Sequence, residues 1–202
     1  MNKILFKQKR RQISSEECKF DLKDELPLLF EAFGHGASLF EQEVVQTPPE
    51  ARIRGFEASL LNAKMVQTIQ RYFPDNWKYG KYRRFVINVN GYVVLLKKLD
   101  KYDRPMNIKT KHSEAIGHQL QLSLFDDSNF NAESPILFFG YKKNKFGEIS
   151  EPKLVYIDDN KAMWTLAEND LPSKKSIVLG EKSTSERKTV TIRQEVKKKR
   201  TS

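Results

Sequence analysis

The sequence predicts an α+β fold: N-terminal helices packed on an antiparallel sheet of about five strands, flanked by basic, flexible termini. Three observations carry this. Apolar residues in the first third recur at three- and four-residue intervals, as they do along one face of a helix. Between residues 84 and 167, β-branched and aromatic runs alternate with polar turn residues. Those runs follow one another through short connections, which pairs neighbouring strands antiparallel.

The first helix starts at Ser14 and Ser15, where Glu16 and Glu17 supply the acids of a first turn. The apolar run over residues 22–33 continues through Pro27, where one helix ends and another begins, and Gly34, His35 and Gly36 break the chain. Thr47, Pro48, Pro49 and Glu50 mark a second boundary. Beyond it Phe56, Leu60, Ala63, Val66, Ile69 and Phe73 define one helix face. Pro74, Asp75 and Asn76 stop that helix.

Residues 85–89 and 92–96 flank Asn90-Gly91, the strongest short-range signal for a hairpin. Residues 106–110 are a candidate third strand and 135–141 a fourth. Residues 153–157, a turn at Asp158, Asp159 and Asn160, and residues 162–167 complete the sheet. Trp77 and Trp164 are expected to close the core.

This divides the chain into a basic N-terminal arm (1–13), a single domain (14–172) with an exposed loop at 111–133, and a basic C-terminal tail (173–202). The net charge of +10 is uneven: residues 1–12 carry +5, residues 173–202 carry +7, and the body between them carries −2. Basic ends fit nonspecific contact with DNA through an attraction that salt weakens. No apolar run is long enough to span a bilayer, so no membrane partner is expected. Residues 1–12 lack the apolar stretch of a secretory signal. Cys18 is the only cysteine, which points to a reducing cytoplasm.

No enzyme chemistry and no cofactor are expected. His35, His112 and His118 have no partner at a metal-ligand spacing. There is no Gly-rich phosphate loop, and Cys18 has no cue for activation. A nuclease-like pattern exists in Glu151 and Lys153, with Asp127 or Glu133 as an upstream acid, but a surface ion pair at a strand start explains it better. Lys97, Lys98, Lys101, Arg104 and Lys109, interleaved with Tyr92 and Tyr102, are candidates for a nucleic-acid groove, and an edge strand carrying exposed lysines fits them equally.

The most specific short pattern is Gln121, Leu122, Ser123, Leu124 and Phe125. Leu124 and Phe125 are adjacent apolar anchors that can fill one pocket of a partner, Gln121 brings an amide to its edge, and Leu122 takes a smaller depression. Leu120, Leu122 and Leu124 also alternate with polar residues, which fits a half-buried strand of the domain itself. The pentapeptide resembles the motif by which bacterial polymerases, mismatch-repair proteins and clamp regulators dock onto the DNA polymerase sliding clamp. A small basic protein carrying it is similar in plan to the replication-blocking toxin of the Soc toxin–antitoxin system. That resemblance implies a bacterial inhibitor of DNA replication with two partners, the sliding clamp and an antitoxin protein. A nuclease of a mobile element, or a nucleic-acid-binding regulator tethered to the clamp, is the alternative.

Overall fold

A computed structural model describes residues 8–80, 83–121, 133–144 and 147–171. The chain divides into two units, residues 1–172 and 173–202, and the second lies outside the described residues. The first unit is the expected α+β domain. Helices α1 (Ser15–Asp21), α2 (Glu25–Val44) and α3 (Phe56–Tyr72) come first. Strands β1 (Trp77–Gly80), β2 (Arg84–Val89) and β3 (Tyr92–Lys98) follow, then α4 (Lys111–Gly117), then β4 (Ile136–Lys143), β5 (Ile149–Asp158) and β6 (Lys161–Ala167). Among the described residues the sheet has six strands in the order β1-β2-β3-β4-β5-β6.

Ser14 caps α1 as its sequence requires, the hydroxyl accepting from the Glu17 amide at 3.1 Å. Pro27 sits in the first turn of α2, where its missing N–H costs nothing. Gly34 and Gly36 do not break the chain, because α2 continues through both. Gly36 is required for another reason: a Cβ there would lie 2.8 Å from Met65 Sδ and 2.9 Å from Thr68 Oγ1, so its absence lets α2 and α3 touch. Packing has overridden propensity. In α3 the buried stripe is Leu61, Met65, Thr68 and Ile69, which leaves Ala63 exposed and Val66 half-buried, rotated from the face the apolar spacing suggested.

Asn90 and Gly91 both have positive φ, 45° and 80°, and form the hairpin turn between β2 and β3. Asp159 and Asn160, at 48° and 59°, do the same between β5 and β6. All neighbouring strands are antiparallel except β3 and β4, which run parallel with Val93 opposite Ile136. A parallel pair needs a crossover, and residues 99–135, including α4, supply it. Residues 106–110 are therefore not a strand: Leu99↔Pro105 is an isolated bridge, and Met106 and Ile108 stand exposed. The side of β3 on which they would pair is taken by β4.

Two cores result. α1–α3 cover one face, where Phe30 and Phe33 meet Phe139 with ring centroids at 5.0 and 5.5 Å. Each such pair adds about 0.5–1.5 kcal/mol beyond its burial. Ile116 of α4 joins Val86, Val93, Leu95, Phe138 and Val155 on the other face, so the helices do not all lie on one side. Burial on both faces explains the unbroken apolar runs of β3 and β4. Trp164 stacks on Tyr156 at 5.5 Å and donates to the Ile13 carbonyl at 3.0 Å. Burial, with Asp21 and Glu17 adding, pushes the Cys18 thiol up to about 12, so it stays protonated at neutral pH. No helix among the described residues is long and apolar enough to cross a membrane.

Candidate functional site

Of the clamp-like pentapeptide, Gln121 is described, whereas Leu122, Ser123, Leu124 and Phe125 lie outside the described residues, as does Asp127. Gln121 and Glu133 are the described residues on either side of 122–132. Residues 8–11 run between them as a short extended segment. The Arg10 amide donates to Gln119 O at 2.6 Å and the Gln121 amide to Gln8 O at 2.9 Å; on the far side the Arg11 amide donates to Glu133 O at 3.1 Å. The Arg10 guanidinium, buried, reaches Ser134 O at 2.8 Å. Gln121 on one side and Glu133 and Ser134 on the other are thus fastened to the same piece of backbone.

Gln119 is the central fixture. It is completely buried, and its amide fills a gap between β4 and β5: Nε2 donates to Ile136 O at 2.8 Å and to Ile157 O at 2.7 Å, while Oε1 accepts from the Ile136 amide at 3.0 Å. Its φ of +51° is costly for a residue with a side chain, and these three bonds hold it there. Thr110 and Ser113 cap α4 reciprocally, so Lys111–Gly117 is a helix where the sequence suggested loop. The end of α4 rests on the β5–β6 turn, with the Asn160 amide donating to Gly117 O at 2.9 Å. His118 Nδ1 lies 3.0 Å from Asp159 Oδ1, and Lys9 spans Asp158 and Asp159 at 3.0 Å each. Asp158 first, then Asp159, hold the Lys9 ammonium above its ordinary value.

The basic arm is consequently less free than its composition implied. Lys9 and Arg10 belong to the domain, and Arg11 pairs with Glu17 and lies 4.0 Å from Asp21. Gln121 is engaged as well, its Nε2 donating to Lys9 O at 3.1 Å.

The five candidate nucleic-acid residues do not share one groove. Lys97 and Lys98 are consecutive on β3 and point to opposite sides. Lys101 and Arg104 flank Tyr102, 4.8 and 4.9 Å from its ring centre, and Arg104 also grips Asp100 at 3.0 and 2.9 Å. Arg104 and Lys109 border a cleft of about 720 Å³ over Phe138 and Ile157. Tyr92 is buried on the helix face, its hydroxyl donating to Asp21 at 2.6 Å.

Glu151 and Lys153 join Asp103 and Lys142 in an ion network: Lys142 lies 3.0 Å from Asp103 and 2.9 Å from Glu151, and Lys153 lies 3.1 Å and 3.3 Å from the same two. Each carboxylate therefore faces two ammonium groups rather than a vacant metal position. Among the described residues no three His, Cys, Asp or Glu side chains gather to hold a metal ion. Burial opposes ionisation of Asp103, but Lys142 and Lys153 outweigh it and keep its carboxyl below the usual range; Lys142 and then Lys153 do the same for Glu151.

The stabilisation from both acids is present above their unfolded pKa values of 3.8 and 4.5 and is lost as pH falls through the lowered folded values. Melting temperature should thus fall more steeply in wild type than in Asp103→Asn below about pH 4. Parallel curves in a pH series of thermal melts would remove the network from the stability account.

Neither a known protein family, nor a curated protein, nor a solved structure matches this chain.

Proposed function

We propose that this chain binds the bacterial DNA polymerase sliding clamp through Gln121, Leu122, Ser123, Leu124 and Phe125, and blocks replication by occupying the pocket that polymerases and repair factors need. The mode is competition between extended peptides for one apolar pocket, with no covalent step. It acts where the clamp works, in the bacterial cytoplasm, and an inhibitor of this kind calls for a neutralising antitoxin protein.

The observation that carries the reading, beside the pentapeptide itself, is the fastened base. A linear motif gains affinity when its ends are fixed, because less conformational freedom is lost on docking. Here residues 8–11 and the buried Gln119 amide hold in place the described residues that flank 122–132, Gln119 and Gln121 before it and Glu133 after it. Four of the five motif residues fall within that segment, and Gln121 stands at its edge. The Gln121 amide must exchange its bond to Lys9 O for one to the clamp, an exchange costing about 0.5–1.5 kcal/mol that tempers the affinity.

Clamp-dependent primer extension tests this. Extension should fall as the chain is added in the micromolar range and recover when excess clamp is supplied, while clamp-independent synthesis by the same polymerase is unchanged. Equal inhibition of both reactions would point to template binding and count against the proposal.

A further inference from the structure

The sheet opens at one end. β2 and β3 are in register only over Ile87↔Val94, Asn88↔Val93 and Val89↔Tyr92. Beyond that, residues 84–86 continue paired to β1 and residues 95–98 continue paired to β4, but the two strands no longer pair with each other. A slot of about 570 Å³ lies there, with Arg84 and Phe85 on one wall and Leu96 and Lys97 on the other. Gln67 and Gln70 of α3 border it, together with Ala63 and Val66, which the core does not bury.

The charge in this slot is unusual for the molecule. Lys142, Lys143 and Lys153, half-buried on neighbouring strands, each hold a carboxylate. Arg84 and Lys97 are also half-buried, yet among the described residues neither has a carboxylate partner. Extending the β2–β3 register three residues past Ile87↔Val94 would set them opposite one another. Burial, and then the charge of Arg84, push the Lys97 ammonium below its ordinary value. Partly buried cations are normally paired, so two adjacent unpaired ones describe a place prepared for a negative ligand.

Tyr79 and Phe85 line the slot as well, from the helix-covered face of the sheet, whereas strand alternation turns Arg84 and Lys97 toward its other face. Trp77, Tyr79 and Phe85 have centroids 5.7–5.8 Å apart, and Tyr79 is 47% exposed with the Arg83 guanidinium 5.8 Å from its ring centre. A basic slot with an accessible ring at its rim is an arrangement that can grip a single strand: cations take the phosphates, the exposed Tyr79 ring takes a base face, and amides such as Gln67 and Gln70 can meet polar edges. An acidic peptide would use the cations but leave the rings without a role.

We propose that the slot between β2 and β3 binds single-stranded nucleic acid, with Arg84 and Lys97 on phosphodiester oxygens and a base laid against Tyr79 and Arg83. None of these residues belongs to the clamp-like pentapeptide, so the proposal stands or falls separately from clamp binding.

The test is fluorescence anisotropy of the full chain with a labelled thymidine oligonucleotide across a salt series. Arg84→Gln with Lys97→Gln should weaken binding at least tenfold and lower the magnitude of the log affinity against log salt slope by about 1.4, about 0.7 for each lost phosphate contact. Tyr79→Ala should weaken it about 5- to 100-fold with the slope unchanged. Removing the same charge elsewhere, with Lys19→Gln and Lys161→Gln, should change affinity less than twofold. The Arg84/Lys97 variant should melt no lower than wild type, because two mutually repelling cations are gone. Absence of binding by wild type, equal losses from both double variants, or displacement of the oligonucleotide by polyglutamate as readily as by unlabelled oligonucleotide would each overturn the proposal.

Discussion

Replacing Leu124 and Phe125 together by alanine should cut affinity for the purified clamp by two orders of magnitude or more while leaving circular dichroism and melting temperature unchanged. Each side chain contributes roughly 1.5–3 kcal/mol when an apolar pocket takes it out of water. Their combined loss of about 3–6 kcal/mol exceeds any other single change to a micromolar ligand. Gln121→Ala should do far less, under about tenfold, because the lost clamp contact is partly offset by no longer having to release the Lys9 carbonyl. The contrast matters, since a nonspecific electrostatic association would be indifferent to all three residues. Unaltered capture of the Leu124/Phe125 variant would mean that the chain meets the clamp elsewhere or not at all.

The second large effect is on stability. Gln119→Ala should destabilise the domain by about 2–4 kcal/mol, since it strands the Ile136 amide and deprives the Ile136 and Ile157 carbonyls of a donor in a fully buried place. For a domain of this size that is a drop of roughly 5–15 °C in melting temperature. Gln119→Glu separates hydrogen bonding from packing. It keeps the shape but turns a carboxylate toward two carbonyl oxygens, so at neutral pH it should be no less harmful than alanine. Acidification should relieve it, because the protonated acid regains one donor. A glutamate variant as stable as wild type at pH 7 would show that the amide is not the fastening described.

Much of the fold was legible because local signals and tertiary packing agree. The Ser14 cap, the Asn90-Gly91 turn and the Asp159-Asn160 turn are each dictated by two or three neighbouring residues, and each stands where the sequence put it. Elements decided by distant contacts were not legible. Gly34 and Gly36 read as a break, and only the close approach of Met65 and Thr68 explains why a helix runs through them. β1 follows directly on a Pro74-Asp75-Asn76 stop and is four residues long, too short to show alternation. α4 has seven residues and a capping serine in place of the usual acidic partner, so its start was hidden. The parallel pairing of β3 with β4 could not be foreseen, because nothing local to either strand announces its partner.

The candidate sites divide in the same way. The pentapeptide is a linear pattern and can be found without coordinates. The slot between β2 and β3 cannot, because Arg84, Lys97 and Tyr79 are brought together by register and by its interruption. Five lysines and arginines near one another in sequence suggested a single groove, and strand alternation sends Lys97 and Lys98 to opposite sides. Gln119 carried no signal at all: a glutamine between His118 and Leu120 looks like any polar loop residue until the β4 and β5 backbones are seen around it.

Clamp binding itself is tested most directly by displacement. A labelled peptide carrying an authentic clamp-binding motif is bound to purified bacterial sliding clamp, and the full chain is titrated against it. Complete release of the peptide at micromolar chain, with the Leu124→Ala, Phe125→Ala variant inert over the same range, is the predicted result. Retention of the peptide at concentrations where the chain remains folded and monodisperse would contradict it.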